Sequence, residues 1–283
     1  MICQANRIGR HTLLFHSISL EQLRAVREAL ALDHFETFQF CQEMQVGIGT
    51  AVGRLSHFVY GLDPAPHKLG GIMTPGRAKR IKSLVKRRGP LPSGSYKKSV
   101  ERILALLIPK VPDGEQLHLI TDGKQDYRTA AQSHINSGKL RMDIFSNPPR
   151  RLKHEPKSAD AKVRDQAMFP VDLLHKLIRH CMANHKRETI AHGRRVNSIM
   201  LRLYVFIAWR NFVKDKSERR PQNKTPAMDV GLVDCFLNWK QVLSRRLYPW
   251  KQSLASMDSR LYAMKMETPA VGRNKHHDLV NAY

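Results

Sequence analysis

The sequence predicts an α/β protein in which helices flank a central β-sheet. Residues 44–52 and 57–61 alternate as a strand pair does, with a turn between them at residues 53–56. A further apolar run, residues 117–121, ends on Asp122 and is followed at once by Gly123. From Phe169 onward, apolar residues recur every three or four positions, which is typical of amphipathic helices. Strands in the first half and helices in the second favour an α/β fold.

The remaining elements follow from the same patterns. Residues 1–28 are predicted to form a helical lead-in, with Ser19 capping a helix over residues 21–29. Residues 29–38 contain a strand that carries Asp33. Helices are predicted near residues 75–88, 99–107, 126–134, 170–182, 196–207 and 231–243. Residues 139–166 are predicted to be a basic, proline-containing stretch, and residues 251–283 a loose tail.

The charge of the chain indicates a polyanionic partner. The sequence has 48 Lys and Arg against 24 Asp and Glu, a formal net charge of +24. An excess of this size is most often matched by nucleic acid. Residues 64–100 contain many basic residues and no acidic one, so phosphate binding is favoured there over a merely solvated face. The predicted DNA contacts are Lys79, Arg80, Arg87, Arg88, Arg150, Arg151, Lys153, Arg179, Lys186, Arg187, Arg194 and Arg195.

The four cysteines, Cys3, Cys41, Cys181 and Cys235, lie far apart and form no CxxC pair. This spacing argues against a zinc ribbon and a secreted disulfide scaffold, and favours reduced core thiols in an intracellular protein. The N-terminus has no basic-then-apolar signal pattern, and no run of about 18 apolar residues predicts a membrane span.

Asp33 and Asp122 are the candidate catalytic acids. Each is predicted to end a short apolar strand, and neighbouring strands would bring the two carboxylates within about 4–6 Å. Like-charged carboxylates at one spot are costly unless a cation neutralises them, so a third acid on the helix behind would imply a metal site. Magnesium is the expected metal because all ligands are oxygens. The alternative for Asp122 is an aspartate that only opens a turn.

Three blocks of the sequence, in this order, resemble bacterial insertion-sequence transposases of the DDE type. The blocks are Asn6-Arg7-Ile8-Gly9-Arg10-His11 with Phe15-His16; Asp33-His34-Phe35-Glu36-Thr37-Phe38 with Ser56-His57-Phe58-Val59-Tyr60; and Asn184-His185-Lys186-Arg187-Glu188-Thr189-Ile190-Ala191 with Trp209-Arg210-Asn211-Phe212. The run Thr225-Pro226-Ala227-Met228, followed by Gly231-Leu232, is similar to the tail of the same group.

The resemblance implies an RNase H-like mixed sheet and a transposase that cleaves and joins DNA at the ends of a mobile element. It implies Asp33 and Asp122 as the first two metal ligands, with Asp172 or Glu188 as the third. The implied cofactors are two magnesium ions, with manganese as a substitute. The implied partners are double-stranded DNA and a second copy of the chain in a synaptic homodimer. The implied location is the bacterial cytoplasm, at the nucleoid, with no membrane association.

The choice between Asp172 and Glu188 stays open. Asp172 shares a predicted helix face with His175 and Arg179, which favours it. Glu188 belongs to the Arg187-Glu188-Thr189 motif. If one straight helix joined residues 172 and 188, the two acids would point in nearly opposite directions.

The resemblance also sets the predicted domains. These are the lead-in at residues 1–28, a catalytic domain at residues 29–215 with a basic insertion at 64–100, and a partly disordered extension at 216–283. No zinc or helix-turn-helix module precedes Asn6, so a catalytic domain without its DNA-reading module is expected. One alternative is a truncated, inactive transposase that only binds DNA. Another is an RNA- or ribosome-associated protein, which is disfavoured because the basic stretches lack interleaved aromatic residues.

Overall fold

A computed structural model describes residues 2–90, 92–149, 154–186 and 191–266, without the side chains of residues 2, 3, 87 and 88. Its centre is a five-stranded sheet in the order β3-β2-β1-β4-β5. The strands are β1 (Leu30–Phe38), β2 (Met44–Gly53), β3 (Val59–Lys68), β4 (Leu117–Thr121) and β5 (Leu140–Ile144). Strand β2 is antiparallel to both β1 and β3, whereas β4 is parallel to β1 and to β5. The predicted α/β class with a mixed sheet is therefore confirmed, and the arrangement is consistent with an RNase H-like fold.

Helices lie on both sides of this sheet. They are α1 (Ile2–Gln22), α2 (Pro75–Arg88), α3 (Ser95–Leu107), α4 (Gln125–Asn136), α5 (Ala159–Ala167), α6 (Phe169–Cys181), α7 (Val196–Ala208), α8 (Pro226–Asp229), α9 (Trp239–Ser244) and α10 (Ser256–Tyr262). The predicted hairpin and the helices near 75–88, 99–107, 126–134, 170–182 and 196–207 are confirmed, although the second of these begins earlier, at Ser95. The helix predicted near 231–243 is wrong in its first part, since the helix there begins only at Trp239.

The two sides of the sheet have separate apolar cores. On one side, residues of α1, α6, α7 and α10 pack against Ala31, Phe35 and Ile120. On the other side, residues of α3 and α4 pack against Leu30, Leu32 and Leu119. Because successive side chains of a strand point to opposite faces, Asp33 shares its face with Ala31 and Phe35. It therefore points towards the side of the sheet that α6 covers.

The first helix differs from its prediction. Ser19 lies inside α1, where its hydroxyl donates to the Phe15 carbonyl oxygen at 2.7 Å, and does not cap a helix over residues 21–29. Residues 23–29 are not helical. Leu23 and Val26 are buried there, and the Val26 amide donates to the Lys110 carbonyl oxygen at 2.9 Å. Tertiary packing has overridden the local helix signal.

The predicted insertion at residues 64–100 is shorter in the structure, because its two ends belong to the fold. Strand β3 continues through Pro64 and Pro66 to Lys68, and α3 begins at Ser95. Prolines fit in β3 because it is the edge strand, where alternate residues need no ladder donor.

Three further elements lie where irregular structure was predicted. Strand β5 lies within residues 139–166, α5 begins in that stretch and ends at Ala167, and α10 lies within the predicted loose tail. Residues 140–144 do alternate apolar and charged side chains, but the run is short and lies in a basic, proline-containing stretch, and only Leu140 of β5 is buried. Helix α10 is anchored by the buried residues Met257 and Leu261.

The three described cysteines are free thiols, but the prediction that they belong to the core is wrong. Cys181 and Cys235 are exposed and Cys41 is half-buried. In the part of the chain that the structure describes, no helix has both the length and the apolar character that a bilayer crossing requires.

Candidate functional site

The site is built on two neighbouring parallel strands. Strands β1 and β4 pair Leu30 with Leu119 and Ala31 with Ile120. Continuing this register by two residues places Asp33 opposite Asp122. Asp33 lies in the middle of β1 and not at its end as predicted, because β1 pairs with β2 as far as Phe38. Strand β4 ends at Thr121, so Asp122 is the first residue beyond it.

Asp122 occupies a tight turn. Its Oδ1 accepts a hydrogen bond from the Lys124 amide at 3.2 Å, and its Oδ2 accepts one from the Asn147 side chain at 3.1 Å. Gly123 has a φ of 82°, and a Cβ at this position would lie 2.5 Å from the Ile144 side chain. Only glycine meets both requirements. The turn thus fixes the direction in which Asp122 leaves the strand.

Asp33 is held by donors on one oxygen. Its Oδ1 accepts hydrogen bonds from the His34 amide at 2.7 Å and from the Tyr127 hydroxyl at 3.2 Å. The Tyr127 hydroxyl also lies 2.8 Å from His34 Nδ1. The other oxygen, Oδ2, lies 3.8 Å from Nδ1 of His175 on α6.

The contact between Asp33 and His175 is not an ion pair. Burial, and then the charge of Arg179, lower the pKa of His175 to about 3, so the imidazole is neutral at physiological pH. His175 Nε2 lies 2.8 Å from the Thr50 hydroxyl, which fixes the ring.

The pKa of Asp33 is affected by two other acids, Asp122 and Asp172. Burial, followed by the charge of Asp122 and, to a smaller extent, that of Asp172, raises the pKa of Asp33 to about 7. The hydrogen bonds from His34 and Tyr127 oppose this rise. Asp33 is therefore only partly ionised near neutral pH. A cation at this place would relieve the repulsion among the acids.

Asp172 lies in the first turn of α6, but its carboxylate already has a cationic partner. Arg164 of α5 donates a hydrogen bond to Asp172 Oδ2 and forms an ion pair with it. The side chains are 13% and 25% exposed, so the pair is largely shielded from water. Helix α6 ends at Cys181, so no straight helix joins residues 172 and 188. Glu188 itself lies outside the described residues.

The donor set fits a divalent cation in part. Among the residues that the structure describes, no three His, Cys, Asp or Glu side chains are grouped closely enough to hold a metal ion. Asp33 and Asp122 supply two oxygen donors, which is the ligand type that magnesium prefers. Asp172 would have to exchange Arg164 for the metal before it became a third ligand.

The predicted DNA contacts on α2 are only partly free of protein partners. Arg80 Nε lies 2.8 Å from Oε1 of Glu43, a residue of the β1–β2 turn, and Arg77 approaches the same atom at 3.7 Å. Glu43 thus provides a counter-charge that the local sequence does not reveal. Lys79 is exposed. The side chains of Arg87 and Arg88 lie outside the described part of the chain.

Arg179 of α6 contacts both β1 and the segment that follows α6. It donates to the carbonyl oxygens of Glu36 at 3.0 Å and His185 at 3.2 Å, and its guanidinium lies 4.6 Å from the Phe35 ring centroid. Lys186 is exposed.

Two positions of the predicted DNA surface, Arg194 and Arg195, are half-buried before α7. Others lie outside the described residues; these are Arg150, Arg151, Lys153 and Arg187.

Several residues of the site were not identified from the sequence, namely Tyr127, His34, Thr50, Asn147 and Arg164. Tyr127 carried a usable signal, because it follows Asp122 by five residues on a helix that the sequence predicts. Arg164 carried none, because its helix α5 was not predicted.

Comparison of the chain with protein-family models, with curated proteins and with solved structures found no match.

Proposed function

We propose that the chain is a DDE-type transposase core, which cleaves DNA strands at the ends of an insertion sequence and joins them to target DNA. The observation that supports this most directly is the pair Asp33 and Asp122. The two acids project from adjacent parallel strands, and the charge of one raises the pKa of the other. The resemblance of the sequence blocks supplies the reaction class.

In this proposal Asp33 and Asp122 hold magnesium, with Asp172 or Glu188 completing the set. Two such ions, when bound, supply activation of the attacking hydroxyl and stabilisation of the leaving oxygen of a phosphodiester. Tyr127 and the His34 amide hold Asp33 Oδ1 and so leave Oδ2 for a ligand. Asn147 and the Lys124 amide orient Asp122 in the same way. Thr50 holds the neutral ring of His175 beside Asp33.

The proposed substrate is double-stranded DNA, bound through phosphates by the basic surface that begins at α2. Phosphate contacts set position and carry no sequence information, so target choice is expected to be loose. The proposal includes a homodimer that joins two DNA ends, acting at the nucleoid in the bacterial cytoplasm. The net charge of +24 supports a nucleic-acid partner.

The test is a nicking assay on duplex DNA with magnesium or manganese. We expect the wild-type chain to cut and Asp122→Asn to lose at least about a hundredfold in rate, because removal of one electrostatic group at a reacting centre costs on that order. Asp113→Asn is the matched control, since Asp113 is exposed in the loop before β4 and is expected to leave the rate unchanged. Equal magnesium-dependent cleavage by Asp122→Asn and the wild type would refute the proposed mechanism.

A second candidate is a protein that binds DNA without cutting it. The ion pair between Arg164 and Asp172 favours it, because a carboxylate engaged by arginine is not available to a metal. It predicts duplex binding in the same assay but no nicking with either metal.

A further inference from the structure

The segment at residues 245–251, Arg-Arg-Leu-Tyr-Pro-Trp-Lys, lies between α9 and α10 and presents an aromatic pair to solvent. Trp250 is 74% exposed, although its ring centroid lies 4.8 Å from that of Tyr248. Most of the indole is therefore open. With the half-buried Tyr248 ring beside it, the open indole offers an aromatic surface on which a flat ligand could stack.

Cations surround this aromatic pair. The Arg246 guanidinium lies 5.2 Å from the Tyr248 ring centroid, and the Lys251 ammonium lies 5.5 Å from it. Arg245 is exposed beside them. No acidic residue occurs in the sequence between Asp234 and Asp258, so the segment itself contains no acid that would neutralise these cations.

The segment is anchored at both ends. Before it, Val242 of α9 is buried, and its carbonyl oxygen lies 2.8 Å from His11 Nε2 on α1. After it, Met257 and Leu261 of α10 are buried in the core. An anchored loop loses little conformational entropy when a ligand binds to it.

We propose that the segment at residues 245–251 is a stacking platform for unpaired bases of a nucleic acid. A base stacks on the open indole of Trp250, and the adjoining phosphates contact Arg245, Arg246 and Lys251. Aromatic faces beside backbone-tracking cations are the common means of binding single strands without sequence preference. The proposal rests on the proposed nucleic-acid partner but not on cleavage.

A nucleic acid fits the segment better than an apolar protein surface does. An apolar protein surface would have to desolvate three cations, and no acid of this segment would compensate them. A polyanion instead gains from each cation through counterion release. The long basic stretches at residues 64–100 and 139–166 each contain one aromatic residue, Tyr96 and Phe145, whereas this short segment contains two beside its cations.

The test measures binding of a labelled single-stranded oligothymidine and of a matched duplex, in EDTA so that cleavage plays no part. We expect Trp250→Ala to weaken single-strand binding roughly 5- to 100-fold, as removal of a base stack does, and duplex binding much less. Trp250→Phe is expected to retain most of the affinity. Phe236→Ala is the matched control, because Phe236 is an exposed aromatic (38%) outside the segment.

Charge removal gives an independent measurement. In the double variant Arg246→Gln/Lys251→Gln, we expect the slope of log affinity against log salt concentration to fall by about 0.7 for each phosphate of the single strand that is no longer neutralised. An unchanged slope would contradict the phosphate contacts.

Wild-type affinity of Trp250→Ala for the single strand would overturn the proposal. If the same variant also lost a dimer in sedimentation, the segment would be a contact between copies of this chain instead. The binding assay in EDTA separates this proposal from the proposed function, because single-strand binding is measured without cleavage and a negative nicking assay leaves it unaffected.

Discussion

Two aspartates of one sheet, the half-buried Asp33 in β1 and the buried Asp63 in β3, have opposite surroundings. Burial raises the pKa of both, to about 7 for Asp33 and to about 6 for Asp63. Asp63 is bound through both oxygens by Arg102 of α3, at 2.6 and 2.7 Å. Asp33 has instead the charges of Asp122 and Asp172 as its main ionic neighbours, and its side chain is 23% exposed.

The difference separates a structural acid from a candidate catalytic one. At Asp63 the chain itself supplies the compensating cation, Arg102, and the ion pair joins α3 to the edge strand β3. At Asp33 the chain gathers further acids and leaves one carboxylate oxygen without a strong donor. Such an arrangement is unfavourable in isolation and becomes favourable when a cation binds. Three predictions test whether this contrast is real.

The largest expected effect is that of Arg102→Met, which leaves Asp63 buried without its cation. We expect the free energy of unfolding at pH 8 to fall by about 3–5 kcal/mol, as when one partner of a buried ion pair is removed. The loss should shrink as the pH falls towards 6, because removal of Arg102 raises the pKa of Asp63 above about 6, and below pH 6 Asp63 is mostly protonated in both folded proteins. Urea unfolding at both pH values measures this.

The control for this variant is the double substitution Asp63→Asn/Arg102→Met, which removes the uncompensated charge and is expected to recover much of the stability. A loss below about 1 kcal/mol for Arg102→Met alone would mean that the buried pair does not have the structural role assigned to it.

The next effect concerns Asp33→Asn and has the opposite sign. Folding raises the pKa of Asp33 from about 3.9 in the unfolded chain to about 7. Below pH 4 both states are protonated, and the group has no effect on stability. Between pH 4 and 7 the unfolded chain ionises first, so the folded wild type loses stability relative to the variant. Above pH 7 the variant is expected to be more stable by about 2–4 kcal/mol.

Urea unfolding of the wild type and Asp33→Asn across pH 4–8 measures this difference. Magnesium is expected to raise the melting temperature of the wild type at pH 8 and to affect Asp33→Asn much less, because ligand binding stabilises only a folded state that has the site. If the two proteins differed in stability by the same amount at every pH, ionisation of Asp33 would not destabilise the folded state.

These contrasts explain what the sequence could predict. Asp122 and Gly123 were recognisable because the strand, the acid and the turn are adjacent in the chain. Asp63 and Arg102 are 39 positions apart, and no local pattern connects them.

The partner of Asp172 could not be predicted for the same reason, because no local pattern connects the two residues. Arg164 lies eight residues earlier, on a separate helix, so its direction depends on the junction at Met168 between α5 and α6. Periodicity predicts which face of a helix is apolar, but it does not predict how two helices are oriented about a junction. The fold class and the position of Asp122 directly after a strand could therefore be predicted from the sequence, and the ionic partners could not.

The smallest expected effect is that of Tyr127→Phe. The Tyr127 hydroxyl contacts both Asp33 Oδ1 and His34 Nδ1, and within the described residues the buried His34 Nε2 has no hydrogen-bond partner. Removal of the hydroxyl leaves Nδ1 unsatisfied as well, so the free energy of unfolding should fall by about 1–2 kcal/mol. The pKa of Asp33 should rise further above 7, because the variant lacks a hydrogen bond that stabilises the ionised form.

The matched control is Tyr96→Phe, since the Tyr96 hydroxyl donates to the exposed carboxylate of Glu36, where water replaces it. Its effect on stability should be below about 1 kcal/mol. If Tyr127→Phe shifts the pH at which Asp33→Asn and wild-type stabilities diverge and Tyr96→Phe does not, Tyr127 positions the Asp33 carboxylate. If both variants behave alike, the hydroxyl of Tyr127 only fills space, and the contrast between Asp33 and Asp63 depends on the acids and on Arg102 alone.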